Sequence, residues 1–145
     1  MIVQAPPAKV AASIARVFGR ETRVDSLTVG PAVVLRIARG DSLLGFAQVR
    51  NVRGKDQPIT FLVAIDPSDQ LKDVDILVYR EPYGGEVAYE AWRRQFRGKS
   101  AADSLRVGRE IRGISGATIS VNAVTLGVRQ AVRELTEWHR AGVIR

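Results

Sequence analysis

The stretch that most constrains how this chain can fold is its C-terminal one. From Ile119 onward, Val121, Val124, Val128, Ala131, Val132, Leu135 and Trp138 recur mostly at steps of three and four. That is the period of a long helix with one buried face. Immediately before it, and overlapping its start, stands Ser115-Gly116-Ala117-Thr118-Ile119-Ser120, which sets three hydroxyls and two small residues at the mouth of that helix. The first turn of a helix has N–H groups without intrahelical partners and carries partial positive charge, so a phosphoryl group placed there is stabilised by both effects. Small residues let such a group come close. Ser115 and Thr118 can equally serve as helix caps, a role worth about 1 kcal/mol.

Upstream the periodicity changes. Pro7 suits a first helical turn, Val10, Ile14, Val17 and Phe18 share a face, and Gly19 offers a stop, so a helix is predicted over 8–18. Segments 22–29, 32–38, 42–49, 58–65 and 71–79 are rich in Val, Leu and Ile, and Gly30-Pro31, Gly40-Asp41 and Asp66-Pro67-Ser68-Asp69 punctuate them as turns. Residues 51–57 read as a loop. Tyr89, Trp92 and Phe96 mark one face of a short helix between Glu86 and Arg97, 100–105 is irregular, and 106–113 is a brief extended segment. This order predicts a single α+β domain over 1–145: a mostly antiparallel sheet with helices on one face and a long C-terminal helix opened by the hexapeptide.

Composition narrows the function. With 46% hydrophobic and 26% charged residues the chain is that of an ordinary folded domain, and its apolar runs are far shorter than the roughly 20 residues that cross a bilayer. No membrane span is expected. The formal charge of +7 comes from basic residues dispersed along the chain, which argues against a nucleic-acid partner. The absence of cysteine excludes disulfides and thiolate chemistry, and the lone His139, read as a surface residue, excludes a histidine-pair metal site. Asp73 and Asp75 alternate along a strand and are expected on its solvent face, while Trp92 and Trp138 are expected in the core. Both termini are expected to be loose.

At the hexapeptide the sequence resembles the FMN-binding domain family, whose members include flavin-carrying subunits of sodium-pumping NADH:quinone reductase and of Rnf complexes. Two further landmarks follow the family's order: the glycine-bearing loop Arg80-Glu81-Pro82-Tyr83-Gly84-Gly85-Glu86-Val87 and the short motif Phe96-Arg97-Gly98-Lys99. The resemblance implies FMN as cofactor, joined by a flavin transferase through its phosphate to the last hydroxyl of S-G-A-T-x-T/S, here Ser120. It places Tyr83, Gly84, Gly85 and Glu86 against the flavin. Ser115, Gly116, Ala117, Thr118 and Ile119 would then surround the phosphate, with Lys99 or Arg112 as its cation and Arg109 competing for that role. The implied function is an electron carrier serving redox partner proteins or a membrane electron-transfer complex, rather than a stand-alone enzyme. It implies a place outside the cytoplasm, although Met1-Ile2-Val3-Gln4-Ala5-Pro6-Pro7 lacks the basic leader and apolar core of a secretory signal, which would leave a chain starting at Met1 in the cytoplasm. Two other readings compete: a small flavin-dependent reductase, and a flavin-free structural subunit, which the serine at the usual threonine position favours.

Overall fold

The computed structural model describes residues 5–145; the reading of the first four residues as lacking a leader lies outside the described residues. Strands β1 (Arg23–Val29), β2 (Ala32–Arg39), β3 (Ser42–Arg53), β4 (Pro58–Ile65) and β5 (Leu71–Val78) form one sheet in sequential order, every neighbouring pair antiparallel. Each connection is a short turn, as the Gly and Asp-Pro signals require. At the last of them the Asp66 carboxylate accepts from the Ser68 and Gln70 amides at 2.9 and 3.0 Å.

The expectation of helices on one face fails, and β4 shows why. Its run from Ile59 to Ile65 is buried throughout, with Phe61, Val63 and Ile65 in one core and Leu62 and Ala64 in another. An uninterrupted apolar strand needs cover on both faces. Helix α1 (Pro7–Phe18) covers one through Ile14 and Phe18, and helix α3 (Thr118–Arg140) covers the other through Val121, Val124, Val128, Ala131, Val132 and Leu135. Trp92 also belongs to the α3-side core, and Trp138 packs half-buried against it. Gly127 sets how closely α3 approaches: a Cβ there would lie 2.5 Å from Val52 and 2.7 Å from the Phe61 ring.

Asp73 and Asp75 do not face solvent. They lie on the α1 side, where Asp75 is buried, accepts from Ser13 Oγ at 2.7 Å and pairs with Arg16 at 2.5 Å. Asp73 pairs with Arg97 at 3.2 Å. Strand β3 runs on through Arg53, because Asn51, Val52 and Arg53 continue to pair with Thr60, Ile59 and Pro58. The helix expected over 86–97 is broken into a 3-10 turn (Gly85–Ala88), one α-turn α2 (Glu90–Arg93) and a second 3-10 turn (Arg94–Phe96). Tyr89 therefore points outward at 66% exposure while Trp92 and Phe96 pack edge-to-face inside.

Residues 106–111 form a tight turn closed by a Val107–Ile111 bridge instead of an extended segment. The C-terminus is fastened rather than loose: Ile144 is fully buried and Arg36 Nε donates to the Arg145 carbonyl at 2.6 Å. His139 is half-buried, its Nδ1 2.5 Å from Asp69 Oδ1 and its ring against Phe46.

Candidate functional site at the start of the C-terminal helix

Helix α3 begins at Thr118 with Ala117 as its N-cap residue, and no side chain caps it. The Thr118, Ile119 and Ser120 amides lie in its first turn and are therefore available to an anion. The first intrahelical bond is donated by Val121 to the Ala117 carbonyl at 2.9 Å. Gly116, at φ +83°, lets the chain turn sharply into the helix without strain.

Above this turn a cleft of about 460 Å³ opens between the hexapeptide and the glycine loop, lined by Lys55, Asp56, Tyr79, Glu81, Pro82, Tyr83 and Gly84 on one side and Gly116 to Ser120 on the other. Tyr83 stands 84% exposed at its rim, and Ile119 is half-exposed within it. One hydrogen-bond chain ties the two walls together. Ser120 Oγ, on a residue only 5% exposed, lies 2.6 Å from the Tyr79 hydroxyl, which donates to the Tyr83 carbonyl. Gly84 sits on top of that chain at φ +85°, and a Cβ there would lie 2.5 Å from the Tyr79 oxygen and closer still to Ser120 Oγ.

The glycine-loop wall is fixed by Glu81, which accepts from the Asp56 and Gln57 amides at 3.1 and 3.2 Å. Desolvation pushes its carboxyl upward, but the Asp56, Gln57 and Lys55 amides and the Lys55 charge outweigh it and hold Glu81 below the usual carboxylate range.

The structure thus brings Tyr83, Gly84, Gly116, Ala117, Thr118, Ile119 and Ser120 into one cleft, with Gly85 against the Tyr79 ring. It places Glu86, Lys99 and Arg112 elsewhere, in a second cleft of about 710 Å³ with Tyr89, Trp92 and Arg94. Ser115 lines a shallow depression on the far side of Thr118, beside Val107 and Asn122. Among the described residues, the cation lining the hexapeptide's cleft is Lys55. Sequence reasoning missed it because it lies in the loop between β3 and β4. It also gave no role to Tyr79, which adjoins the glycine loop, or to Glu81, which lies within it.

Residues 54–133 match the FMN-binding domain family, and the match spans the glycine loop, the uncapped helix start and most of α3. This chain belongs to that family. FMN is accordingly its cofactor, and the site fits the group: the uncapped helix turn meets a phosphate, and small residues line the approach. The chain is also 30% identical over 106 residues to one of the subunits of a proton-translocating ferredoxin:NAD+ oxidoreductase complex from Clostridium ljungdahlii, an alignment covering 68% of this chain and 57% of that protein. The chain spans somewhat more than half the length of that relative.

Proposed function

We propose that this chain holds one FMN through an ester between its phosphate and a hydroxyl of the Ser115–Ser120 loop, and that it relays electrons between protein partners in a membrane electron-transfer complex. The observation that carries the reading is the uncapped first turn of α3, which opens on an exposed threonine beside a cleft walled by the glycine loop. A phosphodiester keeps one negative charge. The amides of Thr118, Ile119 and Ser120 offset part of it, and Lys55 is the cation available in the same cleft.

The geometry favours Thr118 as the ester-bearing residue. It is exposed and lines both the cleft and the adjoining depression. Ser120, the last hydroxyl of the pattern, is the second reading; its oxygen points into the Tyr79 hydrogen bond, which would have to open for an ester to form there. In either case a flavin transferase makes the bond, and the protein gains one FMN and loses one water.

Bound FMN supplies the one- and two-electron chemistry, while the chain fixes its orientation and exposure. An open, rim-exposed cleft suits exchange with other proteins better than enclosure of a small substrate. The single histidine is no proton donor for this site: His139 stands 21 residues beyond Thr118 on the same helix, about 30 Å away at 1.5 Å per residue. The name of the Clostridium relative supports a place in such a complex, and the family resemblance supports a location on the outer face of the membrane. Among the described residues no helix is long and apolar enough to cross a membrane.

The test is intact mass and peptide fragmentation of protein co-expressed with a flavin transferase. We expect one FMN less one water on Thr118, lost in Thr118→Val and retained in Ser120→Ala. The opposite pattern moves the ester to Ser120. A colourless chain of unmodified mass sinks the flavoprotein reading.

A further inference from the structure

One stretch of this chain is more basic than the rest. Between Arg94 and Arg112 stand six basic residues, Arg94, Arg97, Lys99, Arg106, Arg109 and Arg112, against two acidic ones, Asp103 and Glu110. The difference, six minus two, is +4 of the chain's +7. Both acids are turned to structural use. Asp103 accepts from the Ser100 amide at 2.8 Å, and Glu110 accepts from the Ser104 hydroxyl at 2.6 Å and the Ser104 amide at 2.8 Å. Arg97 is spent on Asp73 and Glu90. Among the described residues none of the other five cations has an ion-pair partner, and all but the half-buried Lys99 are exposed.

These cations sit on a fixed surface. Trp92 Nε1 donates to the Arg112 carbonyl at 2.7 Å and the Arg112 amide donates to Gln95 Oε1 at 2.7 Å, which pins the 106–112 turn to the segment carrying Arg94. Arg129 holds the Leu105 carbonyl from α3 at 3.2 Å. The same turn borders the flavin site, because Val107 and Thr118 line one depression. A preformed cationic surface of this kind costs little ordering on binding, and it steers an oppositely charged partner toward the group beside it.

We propose that the face carrying Arg94, Lys99, Arg106, Arg109 and Arg112 docks a small acidic redox protein next to the flavin, an inference that rests on the electron-relay reading above. Two observations favour an acidic protein over an anionic membrane: Arg94, Lys99 and Arg112 line a cleft, together with Glu86 and Glu110, rather than a flat plane, and Val107 is the exposed large apolar residue of the 106–112 turn.

The test titrates the holo-protein, and in parallel its flavin-free form, with a plant-type ferredoxin as the acidic probe, using calorimetry. A lysine-rich c-type cytochrome serves as the basic control. Ferredoxin affinity should fall at least about tenfold between about 20 and about 300 mM ionic strength, and by a similar factor in Arg106→Glu/Arg109→Glu at low salt. Arg20→Glu/Arg23→Glu, which makes the same charge change at the start of β1 and just before it, outside the proposed face, should bind as the parent does. FMN content should be equal in all three. Equal weakening by both variants, no effect of either, or preference for the cytochrome overturns the docking face. So does binding to vesicles of phosphatidylcholine and phosphatidylglycerol that the Arg106/Arg109 variant loses while its ferredoxin affinity stays. A chain that holds no flavin but shows the expected ferredoxin pattern keeps the docking face and discards the relay.

Discussion

At Gly84 two constraints coincide, a φ of +85° and a hypothetical Cβ overlapping the Tyr79–Ser120 hydrogen bond. Gly84→Ala therefore meets backbone strain and overpacking together, each on the order of 1–3 kcal/mol, and should lower the unfolding free energy by about 2 kcal/mol or more. It should also reduce FMN incorporation, read as the absorbance ratio of flavin to protein; a variant as stable and as yellow as the parent would show that the loop does not need this close approach. The importance of Gly84 is legible in the sequence, but its partner is not, since Tyr79 and Ser120 lie 41 residues apart and no local pattern links them. Glu110 is a second residue whose role only the structure reveals. The Ser104 hydroxyl, with the backbone amides of Glu110, Leu105 and Ser104, outweighs desolvation and brings its carboxyl from 4.5 to about 2. A carboxyl depressed in the folded state stabilises it above the unfolded value and ceases to do so as pH falls through the folded one. The 104–110 turn should thus keep its anchoring above about pH 4.5 and lose it progressively toward pH 2, with no change between pH 5 and 8. Carboxylate NMR titration of Glu110 checks this, and a midpoint near 4 would refute it.

Elements whose side chains alternate or recur cleanly were readable from the residues alone: all five strands and both long helices stand within a few positions of expectation. Where tertiary contacts decide, periodicity misleads. The Gly, Asp and charged residues of 51–57 suggest a loop, yet Thr60 Oγ1 donates to Asn51 Oδ1 at 2.5 Å and Val52 packs under α3, so the strand continues through Arg53. Tyr89, Trp92 and Phe96 have helical spacing, but the short span between β5 and the cationic loop is met by three single turns that bury two of the three. Gly127 tests how firmly α3 is seated. In a helix interior Gly→Ala ordinarily gains about 1 kcal/mol, whereas inserting a methyl into a packed core costs about 1–3 kcal/mol. The added Cβ would meet Val52 and Phe61 inside 3 Å, and both are held by the sheet, so the cost should prevail. Gly127→Ala should lower the chemical denaturation midpoint, and a midpoint raised by the substitution would mean that α3 can lift from the sheet.

The whole molecule is a sheet with a working face and a supporting face. The hexapeptide, glycine loop and cationic turn all gather on the α3 side, while α1 covers the other. That division was hidden in the sequence, because Asp73 and Asp75 look like solvent-facing alternation and mask the second buried surface. Their partners show its logic: Asp75 receives Ser13 and Arg16 from α1, and Arg93 reaches round the β5 edge to donate to the Val74 carbonyl at 2.6 Å, with both carboxylates 3.7 Å away. Arg93 also blunts an edge that would otherwise present unpaired backbone. Asp75→Asn keeps the shape and an acceptor for Ser13 but removes the charge. Losing a fully buried pair can cost about 3–5 kcal/mol, but Arg16 is 60% exposed, so a loss nearer 1–3 kcal/mol is expected. If the two faces are energetically distinct, hydrogen exchange should quicken first in α1, while FMN content and the exchange of the first turn of α3 stay at parent values. Loss of flavin in step with stability would instead show that α1 and the flavin site unfold as one unit, and that the supporting face is part of the site's own rigidity.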